Sequence, residues 1–199
     1  LYLRADMTED ATRQLEAILR ERPTNERALF MLGGIKRQLD KLEEAAAHFE
    51  TVLKINPKFE LAYYELAGVR LFQNRPTITL ATLKKAGEQF KPRFITKFYA
   101  GLAHSALYQY PKAIENLLDA EKLGQAGEQN RLTHFFYFQL GAAYERNRQY
   151  ETADKTFNKA IEMSPEYHNA MNYLGYMWAD INRNLDEAAK HITMANELS

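Results

Sequence analysis

The pair Leu32-Gly33 is followed, 24 residues after its glycine, by Pro57, and the pair Leu140-Gly141 is followed by Pro165 at the same distance. Matching small and aromatic residues stand between: Ala45, Phe49 and Val52 in the first block, Tyr144, Ala153, Phe157 and Ala160 in the second. Self-similarity at a fixed period constrains a chain strongly, because so short a unit cannot bury its own apolar face and must stack on copies of itself. Further copies follow. Leu66-Ala67 precedes Leu83 and Ala86, and Ala100-Gly101 precedes Ala113, Leu117 and Ala120. Leu174-Gly175 precedes Trp178, with Ala188, Ile192 and Ala195 one residue late. Units beginning at Glu26, Glu60, Phe94, His134 and His168 are offset by 34, 34, 40 and 34 residues. Ala11, Leu15, Ile18 and Pro23 stand where the second half of one more unit would put them.

Each unit reads as two helices. Tyr137, Leu140, Gly141 and Tyr144 fall on one face at helical spacing, and Ala153, Phe157 and Ala160 do so on the next segment. Gly141 and Ala153 are small where two antiparallel helices approach, and the aromatic residues fill the space beside them. Asn147-Arg148-Gln149-Tyr150 is a short polar connection, and Pro165 stops the second helix near Ser164. Pro76 is placed to open a helix. Its unit has Thr79 for the expected alanine and a late closing Pro92, so less regular packing is expected there. Six extra residues fall within 124–133, where Gly124 and Gly127 predict a loop.

These residues resemble the tetratricopeptide repeat family, whose unit is about 34 residues with a Trp, Leu-Gly, Tyr, Ala, Phe, Ala, Pro pattern. The unit from His134 to Tyr167 matches throughout if Tyr137 is accepted for tryptophan. The resemblance implies an all-α fold, a right-handed α-α superhelix of about five helix pairs plus one leading helix. Residues 1–199 then form a single solenoid with a half-unit at about 8–25 and units at 26–59, 60–93, 94–133, 134–167 and 168–199. Both ends read as cut, and Leu1 in place of methionine fits an excised fragment or a processed chain.

The resemblance also implies a protein-interaction scaffold in which the first helix of each unit lines a concave groove with unit positions 2, 5, 9 and 12 or 13. Position 5 is Phe30, Tyr64, Phe98, Phe138 and Asn172. Position 2 adds Leu61, Ile95 and Phe135, position 6 adds Tyr99, and position 9 adds Leu102 and Tyr176. A helix apolar on two stripes is either buried or part of a binding groove, and both readings of this stripe remain open. Arg27, Arg37, Glu65, Glu145, Arg146 and Asp180 flank it and are expected to align a bound protein or peptide partner. Chaperone-binding relatives grip a terminal carboxylate with lysine, asparagine and arginine. The equivalent places in the first three full units hold no lysine or arginine, so an apolar or mixed segment is expected instead. The alternative is a regulatory or targeting domain cut from a larger enzyme, or a structural spacer in a multiprotein assembly such as one of the bacterial envelope.

Lysine plus arginine equals aspartate plus glutamate at 26 each. That balance argues against nucleic acid, whose binding rests on neutralising phosphates, and against electrostatic attraction to anionic membranes. No apolar run is long enough to insert in a membrane. There is no cysteine, and the five histidines occupy unrelated places with no HExxH pattern, so no metal, cofactor or catalytic residue is expected and the chain reads as a non-enzyme. His104 stands at a family tyrosine position and is expected to pack in the core. Gly33-Gly34 lies inside a predicted helix, as a close-packing glycine with a small groove-facing neighbour. Compartment, cytoplasmic or periplasmic, and oligomeric state are not encoded in these features.

Overall fold

The computed structural model describes residues 2–197. Its described residues contain eleven α-helices and no strand: α1 Tyr2–Glu21, α2 Glu26–Gln38, α3 Leu42–Ile55, α4 Glu60–Phe72, α5 Pro76–Gly87, α6 Phe94–Ala106, α7 Tyr110–Gly127, α8 His134–Arg146, α9 Tyr150–Met163, α10 His168–Asp180 and α11 Leu185–Glu197. The fold is all-α, and every full unit begins its first helix at the residue that the repeat frame names. The leading helix is longer than the half-unit at 8–25. None of these helices is long and apolar enough to cross a membrane. The chain divides into two compact units, Leu1–Pro92 and Arg93–Ser199, and the division falls within one residue of the boundary between repeats 60–93 and 94–133.

Local chemistry sets the helix ends. Asn25 caps α2, its Oδ1 accepting from the Ala28 amide at 3.0 Å, and Thr133 Oγ1 accepts from the Phe136 amide at 3.4 Å at the start of α8. Each bond satisfies one of the amides left open in a first turn. Pro76 opens α5, and Pro111 lies in the first turn of α7. α3 and α9 stop two residues before Pro57 and Pro165, as the steric restriction ahead of a proline requires. Within each pair the connection is three residues, except between α10 and α11, where it is four. The second connecting residue has positive φ every time: Asp40, Asn74, Tyr108, Arg148 and Asn182. Asn184 adds a second such residue to the longer connection.

Glycine brings the two helices of a pair together. A Cβ on Gly33 would lie 2.8 Å from the Phe49 ring, on Gly101 2.6 Å from Leu117, on Gly141 2.7 Å from Phe157, and on Gly175 2.8 Å from Ile192. Ile192 is the nearest side chain, with the Cβ of its predecessor His191 further off at 3.5 Å, so the seat in the last pair is filled one residue late, as the sequence of α11 is. Gly34, next along α2, would meet nothing within 4 Å. Opposite effects follow from adjacent glycines. Gly34→Ala is expected to raise stability by about 0.5–1 kcal/mol through helix propensity. Gly33→Ala is expected to lower it by about 1–3 kcal/mol through overpacking against Phe49. Urea unfolding of the two variants checks this, and a common sign of change would sink it.

The two units differ in how their cores are joined. In the second, one continuous cluster runs from Phe94 through Leu117, Phe136, Phe157 and Leu174 to Ala188. In the first, three smaller clusters form around Leu15, Leu29 and Phe49. α5 departs most from the pattern: Thr79 and Thr82 are buried, and their hydroxyls donate to the Arg75 and Ile78 carbonyls at 3.2 and 2.9 Å. Threonine thus fills the alanine position by bonding back onto its own helix, and α5 ends at Gly87, well before Pro92.

The loop expected around Gly124 and Gly127 is corrected. α7 continues through both glycines to Gly127, and a short 3-10 turn at Gln129–Arg131 makes the connection. The reason lies in packing: Leu132 folds back onto Gly124, where a Cβ would lie 2.7 Å from it. Gly124 is therefore a seat for a side chain and not a chain breaker, and most of the extra residues lengthen a helix: α7 has 18 residues where α3 and α9 have 14.

Candidate functional site

The residues predicted to line a surface do not share one environment. In the first unit, Phe30 on α2 is half-buried, its ring 5.5 Å from Phe49 and 5.0 Å from Phe59. Tyr64 on α4 is buried, with its hydroxyl donating to Glu60 at 2.5 Å. Leu61 is exposed. Arg37 pairs with Glu65 at 3.1 Å, so these two predicted guiding charges join α2 to α4.

In the second unit the stripe splits the same way. Phe98 on α6 and Phe138 on α8 are 8% and 9% exposed. Phe98 stacks on Phe94 at 5.4 Å and lies 5.8 Å from Phe136. Phe138 is edge-on to Tyr167 at 5.5 Å and to Tyr173 at 5.1 Å. These two rings fill the space between neighbouring repeats. Of the two readings open for the stripe, these rings follow the buried one, and a ring already covered by the fold has little apolar area left to offer. Outside them the surface does remain apolar. Phe135 is 44% exposed and edge-on to Phe98 at 6.2 Å, and Tyr176 is 53% exposed. Ile95, Tyr99, Leu102 and Asn172 are half-buried. The ring pairs Phe98–Phe135 and Phe138–Tyr173 tie α6 to α8 and α8 to α10 in one row.

Tyr173, 37% exposed on α10, was missed by the sequence reading. Position 6 supplied Tyr99 in the third full unit, and the same position in the fifth names Tyr173. Met31 and Phe72 in the first unit are exposed as well. His104, expected in the core, is only half-buried, with its Nδ1 2.8 Å from Gln109 Oε1.

Charge enters at the ends of α8 and α10. Arg146 Nε lies 3.2 Å from Glu145 Oε2, and Arg146 also bonds to Tyr173. Burial pushes the Glu145 carboxyl above the ordinary carboxylate range, Arg146 opposes the rise and Asp180 adds to it. Elsewhere in this unit the Trp178 indole donates to Asp154 at 2.8 Å. His191 lies 5.3 Å from the Trp178 ring with its Nδ1 buried and making no hydrogen bond.

Burial holds the His191 pKa below the ordinary histidine value, with Glu187 and Asp154 only partly opposing it. The unfolded chain therefore binds the proton more readily. This contribution to stability is complete above the unfolded value of about 6.5 and is lost as pH falls from there through the lower folded value. Thermal melts at about pH 7.5 and 5.5 are expected to differ less for His191→Gln than for the unaltered chain. His48, lowered by its own burial, supplies part of the remaining slope. An unchanged pH difference in the variant would refute the assignment.

Tetratricopeptide-repeat models match residues 2–63 and 136–167, and this chain is a member of the tetratricopeptide repeat family, a class of protein-interaction scaffold. Solved structures of the same fold agree. PilW, described as a widely conserved type IV pilus biogenesis factor, is 20% identical with a TM-score of 0.79, over 96% of this chain and 85% of that one. YrrB, described as a repeat protein of this family with an unusual peptide-binding site, is 17% identical with a TM-score of 0.69, over 93% and 92%. TTC0263, a thermophilic repeat protein of Thermus thermophilus, is 22% identical with a TM-score of 0.66, over 87% and 91%. No curated protein sequence matches the chain significantly.

Proposed function

We propose that this chain holds a segment of another protein against the face formed by α6, α8 and α10, and carries out no reaction of its own. The observation that carries the reading is the exposure of three large aromatic side chains, Phe135, Tyr173 and Tyr176, on helices that the ring contacts join. Half-buried Ile95, Tyr99 and Leu102 extend the apolar surface between them. Tyrosine and phenylalanine supply wide contact area at small conformational cost, and such residues dominate the energetics of protein interfaces. The role of anchor passes from the buried Phe98 and Phe138 to these exposed rings.

A photo-reactive amino acid placed at Tyr176, with a second version placed at Lys122 on α7, tests the reading in the native host. Lys122 is exposed and lies on a second helix of its repeat. Cross-linking to a discrete partner is expected from the Tyr176 position and not from Lys122. Equal labelling from both positions, or a partner captured only at Lys122, would move the contact surface elsewhere.

A further inference from the structure

The face of the second unit is almost without charge. Across α6, α8 and α10 the aspartate, glutamate, lysine and arginine residues are Lys97, Glu145, Arg146 and Asp180. Lys97 is engaged by Asp119 of α7, 2.9 Å away. The other three lie in the last turns of α8 and α10, so the charge is gathered at one rim. Tyr176 and Asp180, four residues apart on α10, share a face.

Carboxylates in a last turn oppose the helix dipole, whose C-terminal end is already partly negative. The corresponding ends in the first unit follow the favourable rule, with Lys36 and Arg37 on α2 and Arg70 on α4, whereas α10 has no base in its last turn. Arg146, the base in the last turn of α8, is engaged by Glu145 and Tyr173, and Arg183, just beyond α10, pairs with Glu151 of α9 at 2.9 Å. Two carboxylates, Glu145 and Asp180, therefore stand at two carbonyl-rich helix ends beside exposed aromatic rings, and Asp180 acts on Glu145 as a like charge. Local rules broken without a structural return mark a surface kept for another purpose.

Building on the proposed reading of this face, we infer that the bound segment is apolar and carries a lysine or arginine. Its cation docks at the rim of Glu145 and Asp180 while its apolar neighbours cover Tyr173, Tyr176 and Phe135. The faces of the two tyrosines add attraction for a cation, and an acidic segment meets like charge there.

Random dodecapeptides displayed on phage and selected on the full chain test this. The enriched sequences are expected to combine aromatic or aliphatic residues with lysine or arginine and to be poor in aspartate and glutamate. The best of them, made synthetically, is expected to bind Asp180→Asn and Glu145→Gln roughly two- to fivefold more weakly than the unaltered chain. It should also weaken as salt is raised to about 0.5 M, with circular dichroism verifying that both variants fold. Apolar peptides selected with no basic preference, and bound equally by Asp180→Asn, overturn this inference while leaving the aromatic face intact. Peptides indifferent to Tyr176→Ala, or a selection that enriches nothing over an unrelated helical protein, overturn both.

Discussion

Phe157→Ala is expected to destabilise the chain by about 3–5 kcal/mol, the cost of emptying a fully buried phenylalanine site. The ring is completely covered, and it is seated against Gly141 of the partner helix, whose missing Cβ leaves the space it occupies. It also lies 6.1 Å from Phe138 and 6.2 Å from Tyr173, so its loss loosens α8, α9 and α10 together. Collapse cannot close the cavity, because the side chains around it are themselves held by the repeats on either side. Folded domains have only about 5–15 kcal/mol in hand, so a change of this size is a large fraction of the whole. Urea unfolding followed by circular dichroism measures the loss. Native-state hydrogen exchange should show the slowest amides of α8 and α9 losing most protection, since solenoid units open locally. A loss below about 1 kcal/mol would mean that the ring is not the seat of this packing.

Phe135→Ala and Tyr176→Ala are expected to act in the opposite manner, leaving the fold intact and weakening partner binding by roughly 30-fold or more each. Both side chains keep about half of their surface in solvent, so truncation removes little that folding uses. Covering what remains of each ring by a partner restores apolar burial, which contributes about 25 cal/mol per Å². Titration of the cross-linked partner, with helical content as the control, separates the possibilities. Variants that unfold would show the rings to be structural. Variants that fold and bind normally would remove this face from the interface. Phe98→Ala and Phe138→Ala make the internal contrast: these buried rings should follow Phe157 in stability and so are unsuitable probes of binding.

The repeat frame carried the fold because its signals are local and redundant. Leu140-Gly141 and Pro165 mark one unit, and Gly141 can face Phe157 only if both stand at the observed spacing. Every first helix begins where the frame placed it. What the sequence hid was the use made of a residue whose type fits two roles. Phe98 and Phe135 are both phenylalanines on exposed-looking positions of first helices, and nothing in one sequence tells which one the neighbouring repeat will cover. The structure answers through geometry: Phe98 is closed over by Phe94 and Phe136, while Phe135 stands beyond them. Gly124 misled for a related reason. Glycine signals a break when the backbone needs freedom, yet here it signals a near neighbour, Leu132, which lies beyond the helix that the glycine was expected to end. Tyr173 was legible in principle, since the position that named Tyr99 names it too.

The four-residue connection between α10 and α11 has a consequence for how such a chain can change. One residue added in the connection moves every later residue one place along the chain, yet counted from the start of α11 nothing has moved. Ala188, Ile192 and Ala195 are its fourth, eighth and eleventh residues, as Ala45, Phe49 and Val52 are of α3. Ile192 therefore meets Gly175, and Ala188 and Ala195 are buried. The connection takes up the extra residue, with Asn184 as its second residue of positive φ, whereas one residue added inside the helix would turn every later side chain by about 100°. Single-residue changes of length are thus silent in these connections and costly a few positions further on.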